Sequence, residues 1–184
     1  MNKKKVLILS IFIILFGTLF VESKAIQKLM YPKKYSIYVE KYAKEFKLEE
    51  NIVYSVMKAE SKFDKAAVSH RGAKGLMQIS DITRDWAIEE LQLREVDVFN
   101  PEANIQIGCW YLNKLYKEFG RLDLVIAAYN GGSGNVRKWL ENHSYSKDGK
   151  NLDSIPFQET SSYVEKVRNN YEKYNKIYGK EGTN

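Results

Sequence analysis

Cysteine is almost missing from this chain: its 184 residues include one, Cys109. That excludes an intramolecular disulfide and any cysteine-based metal site, and histidines at only two positions, His70 and His143, argue against a zinc centre. Stability must therefore come from packing, and Cys109 reads as a small core hydrophobe, not a nucleophile. No internal repeat or low-complexity tract is present, and no alternating apolar and polar run is long enough for a β-sheet protein. The net charge of +6 is mild. Of 29 basic side chains three, Lys3, Lys4 and Lys5, stand at the N-terminus, which leaves 26 against 23 acidic ones. The dense Lys/Arg stripe of a nucleic-acid binder is lacking, whereas a weak positive balance suits an anionic cell envelope.

Long apolar runs are also scarce. The exception follows the three lysines: residues from Val6 to Val21 are apolar or small throughout and carry no charge. As a helix the run rises about 24 Å against a hydrocarbon core of roughly 30 Å, so length alone does not separate a retained signal anchor from a signal peptide. Ser23-Lys24-Ala25 is an unattractive cleavage site beside Glu22, and retention is the preferred reading. The lysines then stay in the cytoplasm and the rest of the chain lies outside it. Residues 22–35 are Lys-rich, contain Pro32 and show no sustained period, and read as a tether.

From Ser36 onward helical periodicity takes over, predicting one compact all-α domain over residues 36–178 and a short tail, 179–184. Tyr38, Val39, Tyr42, Ala43 and Phe46 form one apolar face. A second helix over about 49–61 carries Ile52, Val53, Val56 and Met57. A Gly-containing loop over 62–78 leads to a short helix near 82–91. Asn100-Pro101-Glu102 is a strong helix start, with Asn as N-cap and Pro in the first turn, and that helix stops at Gly120. Leu122 to Tyr129 is short and apolar on most sides, a glycine cluster breaks it, and Val136 to Leu140 begins another turn or two. After a polar stretch, the last helix runs over about 159–178.

The second helix carries the chemistry. Ile52, Val56 and Glu60 are spaced four apart, so Glu60 projects from the face otherwise used for burial. A carboxyl in that setting loses hydration and its pKa rises. An acid that keeps its proton near neutral pH is what cleavage of a glycosidic bond requires, because the leaving oxygen must be protonated.

The residues around it sharpen this. Glu60-Ser61-Lys62-Phe63 is followed by Ser69, then Gly72-Ala73-Lys74-Gly75-Leu76-Met77-Gln78, then Ala127-Ala128-Tyr129-Asn130-Gly131-Gly132-Ser133-Gly134, and finally Glu159-Thr160 with Tyr163-Val164. In order and spacing, over roughly 38–174, these resemble the catalytic domain of the soluble lytic transglycosylase family, whose pattern is Glu-Ser-x-Phe, Ser-x-x-Gly-Ala-x-Gly-Leu-Met-Gln, Ala-Ala-Tyr-Asn-Ala-Gly and Glu-Thr-x-x-Tyr-Val. The resemblance implies a goose-type lysozyme-like helical fold. It also implies a lyase that cuts the MurNAc-β-1,4-GlcNAc bond of peptidoglycan strands without water, leaving 1,6-anhydro-MurNAc, with no metal or cofactor.

Carried over by position, Glu60 matches the catalytic acid and base. Ser61 would close the helix end beside it, and Met77 and Gln78 would line the sugar cleft. Tyr129 would approach the Glu60 carboxyl from the opposite wall, with Asn130 shaping the turn behind it, and Glu159 matches a residue on the far side. Each has a plainer alternative: Ser61 as a helix cap, Met77 as core filler, Tyr129 as a buried tyrosine, Glu159 as a cap of the last helix. Two departures are visible. Ser80-Asp81 replaces the family's usual proline after Gln78-Ile79, and Gly131-Gly132-Ser133-Gly134 replaces Ala-Gly-Pro-Gly. Two other functions stay open at this point: a lysozyme-type hydrolase, in which a second carboxylate such as Asp64 or Asp85 activates water, and a non-catalytic glycan-binding scaffold of an envelope machine with unknown partners.

Overall fold

The structure, a computed structural model, describes residues 23–179 without a break and, before them, residues 3–7, 10, 12, 13 and 17. Between residues 23 and 179 the chain forms eight α-helices: α1 (Lys24–Met30), α2 (Ser36–Glu45), α3 (Glu50–Glu60), α4 (Asp81–Leu91), α5 (Pro101–Phe119), α6 (Leu122–Gly131), α7 (Ser133–Glu141) and α8 (Gln158–Tyr178). Among the described residues extended pairing is limited to isolated bridges in the loop after α3, so the expected all-α class holds. The expected N-terminal anchor and most of the C-terminal tail fall largely outside the described residues. Among those described, no helix is long and apolar enough to cross a membrane.

Local chemistry accounts for the boundaries. The Asn100 side chain accepts from the backbone N–H of Glu102 and Ala103, satisfying two donors that have no partner inside α5. Gly120 ends the same helix in the left-handed conformation, φ 66°. Ser80, standing where the family has proline, caps α4 through its hydroxyl, which accepts from Thr83 N at 3.1 Å.

Two expectations need correction. Residues 24–30 are helical, capped by Ser23, and 31–33 do not hang free. Tyr178 Oη donates to the carbonyl of Tyr31, Tyr174 Oη to that of Pro32, and Lys33 pairs with Glu50. The tyrosines come from α8, more than a hundred residues away, so no local period could announce the docking. The second correction concerns α3. Its apolar stripe predicted one buried face, yet every residue from Ile52 to Met57 is buried, Tyr54 and Ser55 included. A helix covered all round is a core helix.

What covers α3 most closely is α8, which runs antiparallel to it. Polar contacts recur along the pair: Asn51 Nδ2 donates to Asn175 Oδ1, Asn170 Nδ2 to the Ser55 carbonyl, Lys166 Nζ to the Ala59 carbonyl, and Tyr163 Oη to Glu60. Helix α6, with Leu124 to Ala128 all buried, packs against α8 and α5, and Cys109 sits fully buried on α5. The effect is to hold the C-terminal end of α3 in a fixed place.

Candidate active site

Glu60 is the last residue of α3, and the loop that follows is built to return beside it. Ser61 caps the helix. Its hydroxyl donates to the Leu76 carbonyl at 2.8 Å and accepts from Phe63 N at 3.1 Å, tying the helix end to the Gly-Leu-Met-Gln segment. That segment is held from behind by Asn104 of α5, which is fully buried. Asn104 Oδ1 accepts from Met77 N at 2.8 Å, while its amide donates to the carbonyls of Lys74 and Val98. Gly75 sits so close to these groups that a Cβ there would come within 2.7 Å of the Val98 carbonyl oxygen, and its φ of +77° already disfavours a side chain. Gln78 adopts φ 49° and donates its amide to the carbonyls of Ala67 and Gly75.

Between this loop and helices α6 and α8 opens a cleft of about 320 Å³. Glu60, Gln78, Tyr129, Asn130 and Glu159 all line it, so five of the seven expected site residues share one concavity. Ser61 and Met77 do not line it. Met77 is fully buried, with its sulfur packed against Gly108 so tightly that a Cβ on that glycine would lie 2.2 Å away. A thioether turned into the core cannot also face a sugar, and the cleft-lining expectation for Met77 is corrected to a core role.

Tyr129 lines the cleft together with Glu60. Its hydroxyl donates to the Met77 carbonyl at 2.8 Å and not to Glu60. The direct partner of Glu60 is Tyr163 of α8, whose hydroxyl donates to Oε1 at 2.6 Å. Tyr163 stood in the Glu-Thr-x-x-Tyr-Val stretch, but at helical spacing it looks like any inward-facing aromatic. The signal that could have found it is the hydroxyl, which must find a partner once buried. Asn104 was missed for a similar reason. A polar side chain beside Ile105 on an otherwise apolar helix face must have buried groups to satisfy.

Burial pushes the Glu60 carboxyl from its ordinary 4.5 up to about 7. Water withdrawn from the carboxylate is the largest cause, and the negative charge of Glu159 adds to it. The Tyr163 hydrogen bond and the Lys166 ammonium oppose the rise. Burial likewise raises the phenols of Tyr129 and Tyr163 well above their usual range, so both remain neutral hydroxyls. Glu159 lies at the exposed rim, bridged across the cleft to Arg71 at 3.1 Å. Asn130 accepts from Thr160 Oγ1 at 2.8 Å, joining α6 to α8 behind the wall. Asp64 and Asp85 are not among the lining residues, and Glu159 is the other carboxylate there. The arrangement presents one proton-bearing acid, held by a neutral phenol, at a cleft whose charged pair, Arg71 and Glu159, sits at the exposed rim. Such an acid can give up a proton and recover one near neutral pH.

The all-helical domain is shared with known proteins. Residues 37–152 match the family model described as the transglycosylase SLT domain, and the chain belongs to that family. It is 32% identical over 143 residues to the soluble lytic murein transglycosylase of Salmonella typhimurium, a match covering 74% of this chain and 22% of the relative. It is also 32% identical over 123 residues to a membrane-bound lytic murein transglycosylase C of Salmonella arizonae, covering 59% of this chain and 34% of that one. Among solved structures, the 70 kDa soluble lytic transglycosylase of Escherichia coli superposes with a TM-score of 0.74 at 28% identity, over 84% of this chain and 26% of that chain. The lytic transglycosylase of Pseudomonas aeruginosa, solved as an inactive Glu-to-Gln mutant, gives 0.72 at 26% identity, over 83% of this chain and 26% of that one. This chain therefore spans about a quarter of the length of those proteins, and the likeness concerns one domain of each.

Proposed function

We propose that this chain is a peptidoglycan lytic transglycosylase in which residues 36–178 form the catalytic domain and Glu60 serves in turn as acid and base. The observation that carries the reading is the Glu60 carboxyl, raised to about 7 by burial, hydrogen-bonded by Tyr163 and facing a cleft. The names of the relatives, all lytic murein transglycosylases, support the same reading.

In this mechanism Glu60 protonates the bridging oxygen of the MurNAc-β-1,4-GlcNAc bond as the C1–O bond breaks. The N-acetyl carbonyl of MurNAc stabilises the cation forming at C1, so a second enzyme carboxylate is not required. The Glu60 carboxylate left behind is held by the Tyr163 hydroxyl. It then takes the proton of the same sugar's C6 hydroxyl while that oxygen closes on C1. The product is 1,6-anhydro-MurNAc, no water is consumed, and Glu60 regains its proton. Gln78, Tyr129, Asn130 and Glu159 form the sugar-facing walls. Ser61 and Met77 act by fixing the loop, Ser61 through its bond to the Leu76 carbonyl and Met77 through its buried side chain.

The apolar run over 6–21, preceded by three lysines, supports a signal anchor that leaves the catalytic domain outside the cytoplasm, attached to the cell membrane and facing the wall. Cleavage of that run would release the domain to the wall instead.

Mass spectrometry of peptidoglycan digested by the full chain tests the proposal. Wild type should release 1,6-anhydro ends, and Glu60→Gln should lower the rate by about a thousandfold or more. Reducing ends in their place would make the enzyme a hydrolase and overturn the lyase mechanism. Binding without lysis by either protein would leave a glycan-binding scaffold.

A further inference from the structure

The cleft is small for a polymer. At about 320 Å³ it lies near the lower end of small-molecule pockets, so a glycan strand must continue over neighbouring surface. One stretch of that surface carries apolar groups the core does not use. On α4, Thr83 lines the cleft; one helical turn further on Trp86 is 41% exposed, and Ile82 is 82% exposed. Residues 82 and 86 are four apart, so the two side chains share a helix face. An aromatic series joins this ledge to the site. Tyr129 packs against Tyr111 at 5.4 Å between ring centroids, Tyr111 also lines the cleft, and Tyr111 meets Trp86 edge-on at 6.3 Å.

The indole is exposed but not loose. Its Nε1 donates to Glu90 Oε1 at 3.0 Å, and Trp110 stands against it edge-on at 4.8 Å. Lys114 pairs with Glu90 and sets its ammonium 5.5 Å from the indole centroid. A ring held by Tyr111, Trp110, Glu90 and Lys114 loses little further freedom when a ligand settles on it. Two neighbouring apolar side chains kept in water, one of them prearranged and linked by aromatic contacts to a polar cleft, suit a binding surface.

We propose that Trp86 and Ile82 form a distal sugar subsite that carries the cleft along α4, where a pyranose ring of the glycan strand lays its C–H face on the indole. This rests on the glycan-cleaving function proposed above. A hexopyranose has one face lined by C–H bonds and hydroxyls around its rim, so stacking buries the apolar face and leaves the hydroxyls to water and to the Lys114–Glu90 pair. The subsite adds affinity only for chains long enough to reach from Glu60 past Thr83, and the proposal is therefore a statement about length.

The test measures binding in the Glu60→Gln background, where no cutting intervenes. Calorimetry compares a GlcNAc–MurNAc tetrasaccharide with an octasaccharide, and the readout is the gain in affinity on lengthening. Trp86→Ala in that background should shrink the gain roughly fivefold to tenfold, in line with one lost aromatic stack. Trp86→Phe should retain most of it, and Ile82→Ser, a change at an exposed position, should reduce it about twofold to threefold. An unchanged length gain in all three variants overturns the subsite while leaving the proposed function intact. Should Trp86→Ala fail to fold, the Phe and Ser variants decide by the same measure. Absence of binding to either chain overturns the proposed function and the subsite together. Absence of anhydro ends from wild type, with binding retained, overturns the catalytic reading alone.

Discussion

Helices α3 and α8 run side by side, yet the two ends of the pair are built for different work. At one end Tyr54 stacks on Tyr174 at 5.5 Å, Tyr174 stacks on Tyr178, and Tyr31 closes the group edge-on. Tyr54 and Tyr174 are fully buried, and Lys33 lays its ammonium against the rings of Tyr54 and Tyr178. At the other end a tyrosine and a glutamate occupy the corresponding place, and a cleft opens beside them. The aromatic end buries ring surface and stabilises the domain. The acid end gives up some stability, because a carboxyl placed where its charge is poorly hydrated is a cost at neutral pH. One antiparallel frame thus supplies rigidity where it is dry and reactivity where it is open.

The contrast breaks most severely if its stabilising end is cut. Tyr174→Ala should cost about 3–5 kcal/mol, the usual loss for deleting a large buried aromatic, read by urea denaturation. The folded fraction of that variant should still release anhydro ends by the Glu60-dependent route.

At the acid end the expected effect has the opposite sign. Glu60 ionises near pH 4.5 when unfolded and near 7 in the fold. Below about 4.5 both states hold the proton and ionisation takes nothing from stability. As pH rises through 7 the contribution is lost, up to roughly 3 kcal/mol for a shift of this size. Glu60→Gln should therefore gain stability relative to wild type progressively between pH 4.5 and 7 and hold that gain above it. Denaturation midpoints of the two proteins across this range check the point, and a gap that closes with rising pH would contradict it. The same group places the alkaline limb of wild-type activity near pH 7, where the acid form is lost.

Tyr163→Phe sharpens the comparison further. The phenol donates to the carboxylate and so opposes the rise in pKa; its removal should move the alkaline limb upward by about one pH unit and slow the step in which the anion must be held. A limb that stays in place or moves down would show that Tyr163 does not contact Glu60 in solution. The smallest effect belongs to the rim. Arg71 and Glu159 are both well exposed, and Arg71→Gln should change stability by no more than about 0.5 kcal/mol in thermal unfolding.

Much of the architecture could be read before any coordinates. Asn100, Pro101 and Gly120 mark the ends of α5 because capping is a local hydrogen-bond problem, and Ser80 could be recognised as a substitute for proline on the same ground. Glu60 stood out because helical spacing alone places it on a buried face. What could not be read shares a cause. Met77 is expected at the cleft and lies in the core, while the bond of Tyr129 to a backbone carbonyl and the contact of Tyr163 with Glu60 are announced by no spacing. In each case the residue lay in a stretch the sequence had singled out, but the direction of its side chain depended on a partner 31 to 103 residues distant.

Taken by itself, the amino-acid sequence determined which segments from Ser36 onward are helical, roughly where they stop, and which carboxyl sits among apolar neighbours, since periodicity and capping involve residues a turn or two apart. Only the tertiary structure decided which hydroxyl meets that carboxyl and that residues 31–33 are clamped to α8. It alone turned the Met77 side chain inward and left Trp86 at the surface. Those outcomes depend on how helices far apart in the chain come together, and a hydrogen bond between distant residues leaves no spacing to read.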